Sequence, residues 1–185
     1  MRDPDWSWLV SRRDEVQQMS AEAASTFMQE QIAAVDARLG IEVADRDGTR
    51  EVLVTAGGDA EAFGLVRALV EAAPGWPDWS FVGLRPARGF EFDVDAGGMV
   101  FAARALSFQP LSADEAPSQL AIRLLVPNPQ LPEWSEIGLQ ILETGVGEEA
   151  AARVTYLEIG KREDDADNVY ALESLPGYIE RHPVG

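Results

Sequence analysis

Residues 51–84 read EVLVTAGGDAEAFGLVRALVEAAPGWPDWSFVGL, and no other run constrains the fold as much. Positions 51–55 are mostly apolar or β-branched, as a strand requires. Gly57-Gly58 then turns the chain, and Asp59 can cap a helix with Glu61 in its first turn. Phe63, Val66, Leu69, Val70 and Ala73 recur every three or four residues, the spacing of a helix with one buried face. Pro74-Gly75 ends that helix, and 79–84 returns as a strand.

The same order recurs further on. Residues 119–126 are nearly all apolar, like a central strand, and Pro127-Asn128-Pro129 breaks them. A helix is predicted over 132–144, with Trp134, Ile137, Ile141 and Leu142 on one side, and a strand over 153–159. The two strand–helix–strand runs do not align well enough to be a duplication.

Ahead of both runs, Ser11-Arg12-Arg13-Asp14 is a capping-box-like start. Val16, Met19, Ala23, Phe27, Met28, Ile32, Val35 and Leu39 continue the apolar stripe of one long helix that Gly40 terminates. Short strands are predicted at 41–44, 51–55 and 90–95, a longer one at 99–108, and a final helix containing Pro176-Gly177 at 172–181. The expected fold is α+β: a mostly antiparallel or mixed sheet of about six or seven strands with helices packed on one face. At 185 residues the chain is expected to be one domain. Its parts are an N-terminal extension (1–10), a long helix (11–40), a sheet with two helices (41–160), and an acidic loop with a C-terminal helix and tail (161–185).

Composition narrows the chemistry. There is no cysteine, so disulfides, thiolate metal sites and cysteine nucleophiles are excluded. A single histidine, His182, rules out a multi-histidine metal site within one chain. No apolar run approaches the roughly 18 residues of a membrane span, and the mixed-charge start MRDPDWSWLVSRRDE is not a signal peptide. A cytoplasmic protein that does not enter membranes is expected. Fourteen arginines against one lysine, Lys161, with abundant alanine, glycine and proline, suggest a GC-rich bacterial genome. The net charge of −17 argues against nucleic acid and anionic membrane surfaces, both of which need a basic footprint. An acidic surface can serve a basic protein partner, although keeping the protein in solution is the simpler reading.

Asp45-Arg46-Asp47-Gly48-Thr49 resembles the Asp-x-Asp-Gly-Thr signature of haloacid-dehalogenase-type phosphatases. That resemblance implies a nucleophilic Asp45, a general acid at Asp47 and Mg²⁺ between carboxylates and substrate. The pattern departs at Glu42 in the preceding strand and at Arg50 after the threonine. Its lysine and downstream acidic pair would have to be Lys161 and Asp164-Asp165, crowded together. A hairpin turn at Asp47-Gly48 is the preferred reading.

Glu91, Asp93 and Asp95 alternate with Phe90, Phe92 and Val94, which puts three carboxylates on one strand face. They could bind a hard cation or a cationic ligand, unless Arg85, Arg88, Arg104 or Arg123 pairs with them; a wet sheet face is preferred. Trp76 and Trp79 form a second binding candidate as an aromatic patch, or else lock helix to sheet. Trp6, Trp8 and Leu9 could cover a sheet edge or a second subunit, so a homo-oligomer stays open. The run 163–168 lacks the alternation and glycine of a calcium loop. Gly57-Gly58 lacks the rest of a phosphate loop, and His182 has no Gly-x-Ser-x-Gly elbow to meet.

One further resemblance rests on Leu53-Val54-Thr55-Ala56-Gly57-Gly58, Ala72-Ala73-Pro74 and Gly75-Trp76. Together these pieces resemble a strand–GGD–helix–AAPGW–strand motif in small uncharacterised bacterial cytoplasmic proteins, a domain of unknown function. The resemblance implies kinship of fold and transfers no catalytic residue. The function expected from the sequence is therefore a non-enzymatic interaction or binding module with an acidic surface, with no cofactor. The alternative is a phosphatase-like, metal-dependent hydrolase using Mg²⁺.

Overall fold

A computed structural model describes residues 5–111, 120–161 and 167–182. The chain forms two compact units, Met1–Arg85 and Pro86–Gly185.

In the first unit, helices α1 (Ser7–Ser11), α2 (Arg13–Gln18) and α3 (Ala21–Ala33) precede the hairpin β1 (Gly40–Arg46) and β2 (Thr49–Thr55). Helix α4 (Phe63–Glu71) and strand β3 (Trp79–Gly83) follow. The sheet runs β1-β2-β3, antiparallel across the hairpin and parallel between β2 and β3. Val52, Leu53 and Val54 are all buried, which explains the unbroken apolar run of this central strand. Helix α4 buries Phe63, Val66 and Leu69 and packs where Gly83 leaves room for Val66 and Val70.

The long helix expected over 11–40 is interrupted. Met19 is extended, and the Ser20 hydroxyl accepts the Ala23 N–H (3.2 Å), a new N-cap that starts α3. The break resets the helical phase, so Ala24 rather than Ala23 joins Met28 and Ile32 in the core. Ser11 ends α1 instead of capping a helix, and Gly40 opens β1. The N-terminal extension belongs to this core: Trp6 and Leu9 are buried, and the Trp6 indole N–H donates to the Leu69 carbonyl (2.8 Å).

In the second unit, β4 (Asp93–Ala96) and β5 (Met99–Ala102) form an antiparallel hairpin. A four-stranded sheet has the order β8-β7-β6-β9, with β6 (Ser107–Pro110), β7 (Leu120–Leu125), β8 (Val154–Gly160) and β9 (Tyr170–Ala171). Strands β7 and β8 are parallel, and helices α5 (Trp134–Val146) and α6 (Glu148–Ala151) connect them. Helix α7 (Leu175–Arg181) follows a 3₁₀ turn, with Pro176 in its first turn where a missing N–H costs nothing. The strand expected over 99–108 is split by a 3₁₀ turn at Ala103–Ala105, which passes the chain from the hairpin to the four-stranded sheet.

The six-to-seven-stranded sheet does not exist: there are sheets of three, two and four strands among the described residues. Hydrogen bonds to the outer strand give a physical reason. On β1, the Ile41 N–H donates to Gln29 Oε1 (2.7 Å) and the Val43 N–H to Ser25 Oγ (2.8 Å), so α3 side chains occupy the positions of a fourth strand.

Helix α5 carries two glycines facing its packing surfaces. A Cβ on Gly138 would press on Ile159 and Leu157, and one on Gly145 would overlap the Phe90 ring. At its C-terminus, the carbonyls of Thr144 and Gly145 accept N–H bonds from Arg88 (2.9 Å) and Gly89 (3.1 Å), groups that would otherwise lack intrahelical partners. This docking places the segment leading into β4 against α5. None of the described helices is long and apolar enough to cross a membrane.

Candidate functional site

Asp45 and Asp47 lie at the tip of the β1–β2 hairpin. Asp47 and Gly48 both have positive φ (50° and 80°), the conformation of a tight two-residue hairpin turn, and glycine takes the second place without strain. Both Asp45 oxygens are held by Arg50, at 2.8 and 3.0 Å, and this pairing keeps the carboxyl below the usual carboxylate range. Arg50 is itself buried. It donates to the carbonyls of Val16 and Met19, the open end of α2, and lies over the Trp79 ring. Asp45 thus neutralises the residue that ties α2 to the sheet.

Trp76 and Trp79 serve the same junction. Trp79 is buried, its indole N–H donates to Gln17 Oε1 (2.6 Å), and Trp76 meets it edge-on at 5.2 Å. Arg13 sits over the Trp76 ring (4.9 Å) while pairing with Asp78 (2.8 Å). Gly57 and Gly58 form the strand-to-helix turn, and Asp59 accepts the Glu61 N–H (2.9 Å) as its cap. His182 stacks on Tyr178 (4.1 Å) and contacts its carbonyl through Nδ1. Of the acidic run 163–168, residues 163–166 lie outside the described residues.

The alternation at 90–96 survives in burial: Glu91, Asp93 and Asp95 are exposed, while Phe90, Val94 and Ala96 are buried. The three acids do not share a site. Glu91 precedes the strand and pairs with Arg104 (2.8 Å), beside a hollow of about 150 Å³. Of the other arginines, Arg123 pairs with Glu158 (2.9 Å) and Arg85 with Glu42. Asp95 accepts the Gly98 N–H through one oxygen (3.2 Å), which closes the β4–β5 turn. Asp93 makes no side-chain hydrogen bond or ion pair among the described residues. No group of three acidic or histidine side chains among the described residues is placed to hold a metal ion.

Asp93 and Asp95 flank a cleft of about 320 Å³ between β4 and α5. Its apolar walls are Phe92, Val94, Ile137 and Ile141; its polar groups are the two aspartates, Gln140 and Thr144. The volume is at the small end of ligand pockets, enough for one long side chain or a short extended segment. Apolar walls beneath paired carboxylates suit a group with an aliphatic stem and a cationic head. The α5 wall escapes a reading of the strand alone, although Ile137, Gln140, Ile141 and Thr144 share one helical face by spacing.

No protein-family model, curated protein or solved structure matches this chain.

Proposed function

We propose that this protein is a non-enzymatic binding module and that the β4–α5 cleft receives a cationic, aliphatic group presented by a basic protein partner. The observation that carries this reading is the pairing of Asp93 and Asp95 with an apolar cleft of about 320 Å³. Lysine matches it in both halves, because its ammonium can meet the carboxylates at the rim while its methylene stem covers the strand edge that borders the apolar walls. The net charge of −17 favours approach of such a partner at low ionic strength.

Calorimetric titration with N-acetyl-lysine methylamide, against the isosteric N-acetyl-norleucine methylamide, tests the reading. Saturable binding of the lysine compound is expected, weakened by added salt and lost in the Asp93→Asn/Asp95→Asn double variant. Equal affinity for the norleucine compound, or binding untouched by the double variant, would remove the reading.

A further inference from the structure

We infer that the cleft's occupant is an extended peptide segment that adds as a strand to the open edge of β4, with basic residues at alternate positions. This rests on the cationic-cleft reading above and goes beyond it by assigning a role to the backbone.

The backbone argument begins with the ladder's parity. The Phe92 carbonyl accepts the Ala103 N–H (2.9 Å), so Phe92 and Ala103 face each other with their hydrogen-bonding groups. Alternation along an antiparallel pair then places Val94 opposite Phe101 and Ala96 opposite Met99 in the same sense. The intervening residues, Asp93 and Asp95, direct their N–H and C=O groups away from β5. Among the described residues β4 has no strand on that side. Four consecutive residues, Phe92 to Asp95, line the cleft, as expected of a strand edge, and α5 forms the opposite wall. The β1 edge of the first unit is occupied by Ser25 and Gln29; no comparable side-chain bond to the Asp93 or Asp95 backbone occurs among the described residues.

Side-chain chemistry then sets the pattern of the segment. In an added antiparallel strand, the residues opposite Asp93 and Asp95 are two apart and share the face of the two carboxylates. Opposite charges in such cross-strand pairs are favourable, so those two residues are basic. The residue between them points to the face of buried Val94 and is apolar. The recognised segment reads basic–apolar–basic, with main-chain bonds giving affinity and alternate side chains giving selectivity.

The test uses acetyl-Val-Lys-Val-Lys-Val-amide, the same peptide N-methylated at both lysines, and the rearranged acetyl-Val-Lys-Lys-Val-Val-amide. Binding by the full-length protein is measured by titration, alongside hydrogen exchange at the Asp93 and Asp95 amides. The alternating peptide is expected to bind about tenfold more tightly than either control, about 1.4 kcal/mol by affinity arithmetic, and to slow exchange at both amides. An N-methylated peptide that binds within twofold of its parent overturns strand addition while leaving the cationic cleft standing. If neither the peptide nor N-acetyl-lysine methylamide binds, both readings fall. Protection of both amides in the peptide-free protein, growing with protein concentration, would assign the edge to a second copy of this chain and overturn the peptide.

Discussion

The two strand–helix–strand runs use one order for different ends. In β2–α4–β3 the surrounding polar groups are spent inside the unit: Arg50 on Asp45 and the end of α2, Arg13 on Asp78, Arg38 on Asp36 and Asp59. In the unit containing β7–α5–β8, the preceding hairpin leaves Asp93 and Asp95 over a cleft against the helix. Where these acids have arginines, acidity builds the fold; where Asp93 and Asp95 border an apolar cleft, we propose that it serves a ligand. Substitutions in the first set should therefore be read as stability, and those in the second as binding.

The largest expected effect is at the first junction. Trp79→Ala removes a buried ring and the Gln17 bond, and denaturant titration should show a loss of about 3–5 kcal/mol. Arg50→Met keeps the stem but leaves the Val16 and Met19 carbonyls without their donor; a loss of about 2–3 kcal/mol is expected. If both substitutions left the midpoint unchanged, the distinction between a structural and a binding region would collapse.

Gly145→Ala probes the other region's scaffold. Its Cβ would overlap the Phe90 ring, so an overpacking cost of about 1–3 kcal/mol is expected, with weakened ligand binding as the 90–96 segment shifts. A variant of wild-type stability would mean that Phe90 moves aside freely.

Acid titration gives a smaller signal. Arg50 lowers the Asp45 pKa, and hydrogen bonds and charge from Arg38 lower that of Asp36 to about 2. A depressed folded-state pKa contributes stability above the unfolded value of about 3.9 that is lost as pH falls through the folded value. Denaturant midpoints measured between pH 5 and pH 2 should fall less steeply in Asp45→Asn than in the wild type. Both carboxylates are close to solvent, so the difference should be modest and shrink with salt. An unchanged slope would remove Asp45 from the acid response.

Much of this contrast is legible in the sequence, for a local reason. The central strands are recognised by Val52-Leu53-Val54 and Ile122–Leu125, and the exposed acids by their alternation with buried Phe90, Val94 and Ala96. Sheet size is not, because it depends on Ser25 and Gln29, two polar helix residues with no strand signal, bonding a distant edge. Arg50 resists a sequence reading likewise: its carbonyl partners lie more than 30 residues upstream. The cleft's acidic rim shows as a pattern, whereas its opposite wall comes from α5, about 40 residues further along the chain. The Asp-x-Asp-Gly-Thr resemblance depended on residue identities, and Arg50 gives the first of those aspartates a structural partner.

The cleft itself should carry almost no stability. Asp93→Asn and Gln140→Ala are expected to stay within about 0.5 kcal/mol of wild type, as exposed substitutions usually do.

The most direct test follows backbone amide resonances of both units during titration with the alternating lysine–valine peptide. Saturable shifts concentrated at Phe92–Asp95 and at Ile137–Thr144, with the amides of Arg50 and Trp79 unmoved, are expected. Shifts centred on the Arg50–Trp79 junction, or none at Asp93 and Asp95, would contradict the division of the molecule into a structural and a binding region.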